Sequence, residues 1–116
     1  KGSVSIIPGG SGESYGGNID RNGIRQVFIN NQRALQSCYE RLLSVDKGAG
    51  GKLVLDFDIG EQGRVLSAGV SREKSTLVSD SLASCVISKM KTWRFPEPPN
   101  KNEVVKVFYP LAFTNN

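Results

Sequence analysis

A segment with an apolar residue at every second position, in the middle of the chain, constrains the fold most. In residues 52–59 every second residue is apolar, and Asp56 and Asp58 stand between the apolar positions. A period of two is typical of an antiparallel strand that buries one face of a sheet and leaves the other in water. Glu61, Gln62 and Gly63 then predict a turn, and residues 64–71 return the chain as the second strand of a hairpin.

Helical periodicity flanks this hairpin on both sides. Before it, apolar residues recur at spacings of three, four and seven, and predict one helix from a cap at Asp20 to about Ser44. This stripe consists of Ile24, Val27, Phe28, Leu35, Cys38 and Leu42. After the hairpin, a second helix is predicted to begin at Ser75 or Ser79 and to end before Pro96. Its apolar positions are Leu82, Cys85, Val86 and Met90.

A final strand is predicted over residues 103–113. One face carries Val105, Val107, Tyr109, Leu111 and Phe113. Phe108 lies on the other face, beside Lys106. Pro110 has no N–H to give to a sheet ladder, so the strand is expected to form an edge. An outward aromatic residue beside unpaired backbone suits the addition of a partner strand, although the N-terminal residues are an alternative cover for this edge.

The ends and the size of the chain suggest one folded unit. A chain of 116 residues has room for one core, and residues 1–17 hold six glycines among serines. We therefore expect a flexible linker over 1–17 and one domain over 18–116. Val4, Ile6 and Ile7 alternate, and are the only signal for a strand in the linker. Neither a signal peptide nor a long apolar run is evident, so the sequence is interpreted as a C-terminal domain of a longer protein.

The charge of the chain indicates less about its binding partners than the strand and helix patterns indicate about its fold. The net charge is +4, but the basic residues are spread along the chain, which argues against binding to a nucleic acid. A local excess begins at Lys89, with five basic residues against Glu97 and Glu103. This excess either steers an acidic partner segment to the C-terminal part or simply keeps a face solvated.

Catalytic and metal-binding patterns are missing from the sequence. It contains no histidine for general-base work, and no Lys-Ser or Lys-Thr follows its glycine run at the distance that a phosphate-binding loop requires. Two cysteines fall short of the four ligands of structural zinc, and Asp56 with Asp58 fall short of a calcium shell. We therefore expect no enzyme, no cofactor and no metal site.

The order of the motifs resembles a known family. The segments GKLVLDFDIGEQGRV, WRFPEPP and VVKVFYPLAF are similar, in this order, to the C-terminal domain of the energy transducer TonB. The triplet CYE at 38–40, the second cysteine and the ending FYPLAF look most like the AgmX/PglI branch, which occurs in gliding-motility and related envelope proteins. The resemblance covers roughly residues 19–113.

This resemblance implies both a fold and a function. The fold is α+β, with a three-stranded antiparallel sheet and two helices on one face, in the order helix-strand-strand-helix-strand. The function is that of a periplasmic domain of an inner-membrane-anchored protein, coupled for force or energy transduction in gliding motility or transport. Its partner is expected to be a periplasmic or outer-membrane protein segment, because in TonB an extended segment of a transporter adds to the last strand.

Strand addition at the last strand would use a defined set of residues. The expected partner-binding residues are Val104, Val105, Lys106, Val107, Phe108 and Tyr109. The alternative is a self-assembly module, in which the open edge pairs with its own copy in a homodimer.

Cys38 and Cys85 are the only cysteines, and each lies on the inward stripe of one predicted helix. Packing both helices on one face of the sheet would bring the two residues within bridging range. The oxidising periplasm that the resemblance implies would then close a disulfide. The alternative is two buried free thiols that act as small apolar residues.

Overall fold

The computed structural model describes residues 2–6 and 12–115. In chain order its elements are β1 (Gly2–Ile6), β2 (Ser14–Tyr15), α1 (Arg21–Asn30), α2 (Gln32–Leu43), β3 (Gly51–Ile59), β4 (Val65–Val70), α3 (Asp80–Met90) and β5 (Val105–Asn115). A 3-10 turn, Glu61–Gly63, joins β3 to β4. The predicted α+β class and the predicted hairpin are confirmed. No helix among the described residues is long and apolar enough to cross a bilayer.

β3 and β5 form the centre of one antiparallel sheet. They pair continuously from Gly51 opposite Phe113 to Ile59 opposite Val105. β4 lies on the free side of β3, and β1 and β2 lie on the free side of β5. The prediction of three strands is therefore wrong, because the described part of the chain builds a sheet of five. The two additional strands both come from the N-terminal segment.

This N-terminal segment belongs to the sheet. β1 pairs with residues 111–115 of β5, and β2 pairs with Val107 and Phe108. Val4 is buried beside its partner Phe113, so apolar burial holds β1 on the sheet. Within the predicted linker over 1–17, residues 2–6 and 14–15 form strands. The alternation of Val4 and Ile6 correctly indicated the first of these strands. Ile7, in the same pattern, lies outside the described residues.

The predicted first helix is in fact two helices. Asp20 caps α1 as expected, because its carboxylate accepts a hydrogen bond from the N–H of Gly23 at 3.0 Å. The helical path breaks at Asn31, where φ is −110° and ψ is 20°. There the side-chain amide donates to the carbonyl of Val27 at 2.8 Å. Asparagine side chains that bond nearby backbone groups favour such interruptions.

The two serines considered as caps for α3 have different roles. Ser79 is the cap, and its hydroxyl accepts from the N–H of Leu82 at 3.2 Å. The hydroxyl of Ser75 instead accepts from the N–H of Val54 at 2.9 Å. The loop between β4 and α3 thus forms hydrogen bonds with the backbone of the part of β3 that β4 does not reach.

The helices cover one face of the sheet and enclose an aromatic core. Alternate residues of the two central strands are completely buried: Leu53, Leu55, Phe57, Ile59, Val105, Val107, Tyr109 and Leu111. Phe28 of α1 stacks on Tyr109 with ring centroids 4.4 Å apart, and meets the ring of Trp93 edge-on at 5.8 Å. Trp93 and Phe95 are both buried, so they belong to the core rather than to an exposed stacking surface.

The turn between β3 and β4 requires glycine at position 63. Gly63 has a φ of +73°, and a Cβ placed there would lie 1.8 Å from the carbonyl oxygen of Phe95. The N–H of Phe95 also donates to the carbonyl of Gly63 at 3.0 Å. The turn is therefore fixed against the segment that follows α3.

A disulfide joins the two long helices. Cys38 of α2 and Cys85 of α3 are bonded, with their Cα atoms 5.7 Å apart. The predicted pairing is therefore present in the structure. The bond spans 47 positions in the sequence, so it removes a large loop-closure entropy from the unfolded chain.

Replacing Gly63 by alanine is expected to lower the free energy of unfolding by more than about 2 kcal/mol. Both the positive φ and the contact with Phe95 oppose a side chain at this position. Gly48→Ala is the matched control, because nothing lies within 4 Å of its added Cβ and it should change stability by less than about 0.5 kcal/mol. Urea denaturation of both variants measures the difference, and equal stabilities would contradict the turn geometry.

Removing the disulfide is expected to lower the free energy of unfolding by about 4 kcal/mol, as the entropy of a loop of this length predicts. The variant is Cys38→Ala with Cys85→Ala, compared with the native chain in urea denaturation. Reduced native protein is the control, because it loses the bond and keeps both side chains. A loss below about 1 kcal/mol in both samples would show that the cross-link contributes little.

Candidate functional site

The segment predicted to bind a partner does not lie at an edge of the sheet. β5 pairs with β3 from Val105 to Tyr109, and β2 pairs with Val107 and Phe108 from the other side, whereas Val104 precedes the strand and is exposed. In addition, the N–H of Gly16 donates to the carbonyl of Lys106 at 2.7 Å. The prediction that the last strand is an edge is therefore wrong. The backbone around Lys106 and Phe108 already has its partners within the chain.

Pro110 marks a gap in this pairing instead of an edge. Ile6 lies opposite Leu111 and Ser14 lies opposite Phe108, so neither β1 nor β2 pairs with Tyr109 or Pro110. The backbone of Pro110 faces the same side as that of Lys106, because the direction alternates along a strand. The missing N–H of Pro110 thus falls where the ladder between β5 and the N-terminal strands is interrupted.

Phe108 points away from the core, as the sequence predicted. It is partly exposed, and the ammonium groups of Lys74 and Lys106 lie 5.1 and 5.8 Å from its ring centroid. Lys106 also contacts Asp56 at 2.7 Å and Asp58 at 3.4 Å. The hydrogen bond to Asp56 raises the pKa of Lys106. The two carboxylates therefore form ion pairs on this face with a lysine of the neighbouring strand.

The outer edge of β1 is closed by side chains of α2. The amide of Gln32 donates to the carbonyl of Val4 at 2.5 Å, and the amide of Gln36 donates to the carbonyl of Gly2. These two carbonyls point away from β5, so they would otherwise be free to accept from a visiting strand. This side of the sheet is therefore poorly suited to strand addition.

The direction of the backbone in β3 determines which groups of β4 are paired. The carbonyl of Val54 accepts from the N–H of Ser71 at 2.9 Å, so Val54 turns its backbone groups towards the side of β4. Because direction alternates along a strand, Asp56 turns the same way. Its partner in β4 is Gly69, and these two residues face each other across the ladder.

β4 therefore presents free backbone groups at the outer edge of the sheet. Ala68 and Val70 flank Gly69, so their N–H and C=O groups point away from β3. No strand of the described residues lies beyond β4. Leu66 is 56% exposed beside this edge. A strand with such an outer edge is open to pairing with another chain.

Sequence reasoning overlooked β4 as a site, although the sequence carries a signal for it. The six residues from Val65 to Val70 contain neither a charge nor a proline, and Arg64 and Arg72 stand on either side. Natural edge strands are usually protected by lysine, proline or inward charges. An unprotected strand at the end of a hairpin therefore indicates an edge with a possible binding role.

The structure places three tyrosines in settings that keep their hydroxyls neutral. Burial raises the pKa of Tyr109 to about 12, and it also raises the pKa of Tyr15 and of Tyr39. Glu13 adds to the effect at Tyr15. The hydroxyl of Tyr39 donates to the carbonyl of Ala49 at 2.6 Å, whereas that of Tyr109 has no hydrogen-bond partner among the described residues.

Comparison with known proteins adds no relative: no family model, no curated protein and no solved structure matches this chain significantly. The function therefore has to be argued from the geometry of the sheet and its edges.

The raised pKa values predict that folded protein contains less tyrosinate at pH 10 than unfolded protein, in which a tyrosine is half ionised at that pH. The free energy of unfolding should be unaffected below pH 10 and should fall as the pH rises towards 12, because only the unfolded chain then releases these protons. Near-ultraviolet absorbance with and without urea measures this. Tyr109→Phe should reduce the alkaline loss of stability, and a folded-state titration near pH 10 would contradict the burial of these hydroxyls.

Proposed function

We propose that this chain is a non-enzymatic protein-interaction domain that binds an extended segment of a partner by strand addition to the outer edge of β4. In this proposal the domain lies in the periplasm, on a parent protein anchored in the inner membrane. It couples that parent to a periplasmic or outer-membrane protein, for force or energy transduction in gliding motility or transport.

The open edge of β4 is the observation that carries this proposal. Ala68 and Val70 turn backbone donors and acceptors outwards, and no charge or proline within β4 opposes an incoming strand. In strand addition these backbone groups supply the affinity, and alternate side chains select the sequence. The opposite side of the sheet is already occupied by β1 and by the amides of Gln32 and Gln36.

Two further features support the envelope location. The disulfide between Cys38 and Cys85 suits an oxidising compartment, since such bonds are rare in reducing ones. The motifs that resemble TonB-like domains belong to periplasmic parts of envelope proteins. A bond across the two long helices also suits a domain that transmits force, because it prevents them from separating.

Substitution of Ala68 by proline is expected to weaken partner binding and leave the fold intact. The N–H of Ala68 points outwards, so proline removes a donor that only a partner uses. The partners are peptides selected from a random library against the oxidised domain, and amide chemical shifts map where they bind. We expect shifts at β4, and an affinity loss of about tenfold or more in Ala68→Pro.

Two control variants make this result specific. Ala68→Ser retains the outward donor at similar size, so it should bind normally. Gly69→Pro removes a donor that faces β3, and it should lower the free energy of unfolding by about 3 kcal/mol. Peptides that shift only amides of α1 or β5, and that bind Ala68→Pro as well as native protein, would overturn the proposed site.

A further inference from the structure

An open groove runs along α3, and every residue that lines it belongs to this helix or its C-terminal end. Cys85 is bonded to α2, so the opposite flank of α3 faces away from α2. Ala83 and Ile87 lie on that flank, and Ala83 shares a small depression with Val70 of β4. The groove on this flank has a volume of about 580 Å³. It is lined by Asp80, Ala83, Ser84, Ile87, Ser88 and Lys91.

The spacing along this groove matches the spacing of side chains on a strand. Ala83 and Ile87 are four residues apart on a helix, which corresponds to about 6 Å along its axis. Side chains on one face of a strand are two residues apart, or about 6.8 Å. Both helix residues are partly exposed and apolar. A strand added to β4 would therefore place two apolar side chains, two residues apart, beside Ala83 and Ile87.

The two ends of the groove differ in charge. Asp80, at the start of α3, is 3.1 Å from Arg72 and is therefore already paired. Lys91 lies at the other end, where the contact between Gly63 and Phe95 brings the start of β4 close to the segment after α3. Neither Lys91 nor Arg64 forms a salt bridge among the described residues. This end of the groove therefore attracts a negative charge.

The directions of the strands indicate which end of the partner segment carries that negative charge. Every pair of neighbouring strands in the described sheet is antiparallel. A partner that continues this pattern ends its strand where β4 begins, beside Arg64 and Lys91. A carboxylate on the C-terminal side of the partner strand would thus meet the unpaired basic groups.

A second copy of this chain fits the edge less well. If two copies of β4 pair, the incoming strand Val65–Val70 carries no carboxylate that could meet Arg64 and Lys91. The charges therefore favour a different protein as the occupant of this edge.

We infer that an extended partner segment added to β4 lies against the groove along α3, and that this segment carries two apolar residues at alternate positions, followed by a carboxylate. This inference rests on the proposed function and defines the partner more closely. The carboxylate belongs either to an acidic side chain or to the C-terminus of the partner.

Four synthetic peptides test the inference on the oxidised domain. The first, Thr-Val-Thr-Val-Thr-Asp, is acetylated and amidated, and the second carries Lys in place of Asp. The third ends in Thr with a free carboxylate. The fourth has the composition of the first with its two valines adjacent. Amide shifts locate each peptide, and titration gives its affinity.

We expect the Asp peptide to bind at β4 and α3 about fivefold more tightly than the Lys peptide, as one exposed ion pair predicts. Lys91→Glu should abolish or reverse this preference. Lys89→Glu is the matched control on the same helix and should retain it, because Lys89 lies outside the groove. The third peptide shows whether a C-terminal carboxylate replaces the side chain.

The possible failures are distinguishable. If the Asp and Lys peptides bind β4 equally, or if adjacent valines bind as well as alternate ones, the partner chemistry inferred here is overturned and strand addition stands. If no peptide, including those selected from the library, shifts the amides of β4, the proposed function fails as well.

Discussion

The long pairing of β3 with β5 is the interaction on which the rest of the structure depends. It brings together strands separated by the whole of α3 and aligns their alternate apolar residues into one continuous layer. Phe28 and Trp93 pack on this layer from the helices, so the aromatic core is defined by the register of the two strands. A shift of one residue in this register would turn the whole buried layer towards water.

Because β5 is central, the two edges of the sheet are formed by other strands, and they differ in how far their backbone groups are paired. On one side, β1 and β2 satisfy β5, and the amides of Gln32 and Gln36 satisfy the outer carbonyls of β1. On the other side, β4 ends the sheet without such protection. The domain is therefore asymmetric, with one edge closed by its own chain and one open to another chain.

The disulfide connects the core to the candidate site. It holds α3 against α2, and the groove lies on the flank of α3 opposite Cys85. The same bond that adds stability to a small domain thus also fixes the orientation of the surface proposed to receive a partner. Stability and the shape of the site consequently depend on the same oxidised state.

The sequence by itself determined the local structure: the hairpin, the cap at Asp20, and the two faces of the last strand. Each follows from spacing or from a side chain that bonds within a few residues. It also showed that Pro110 has no backbone N–H to donate, but not whether the strand that contains Pro110 lies at an edge of the sheet or between two other strands. Only the tertiary structure decided the position of β5, because the strands that pair with it opposite β3 come from about 100 residues earlier in the chain. The tertiary structure also made β4 the open edge, because no described strand lies beyond it.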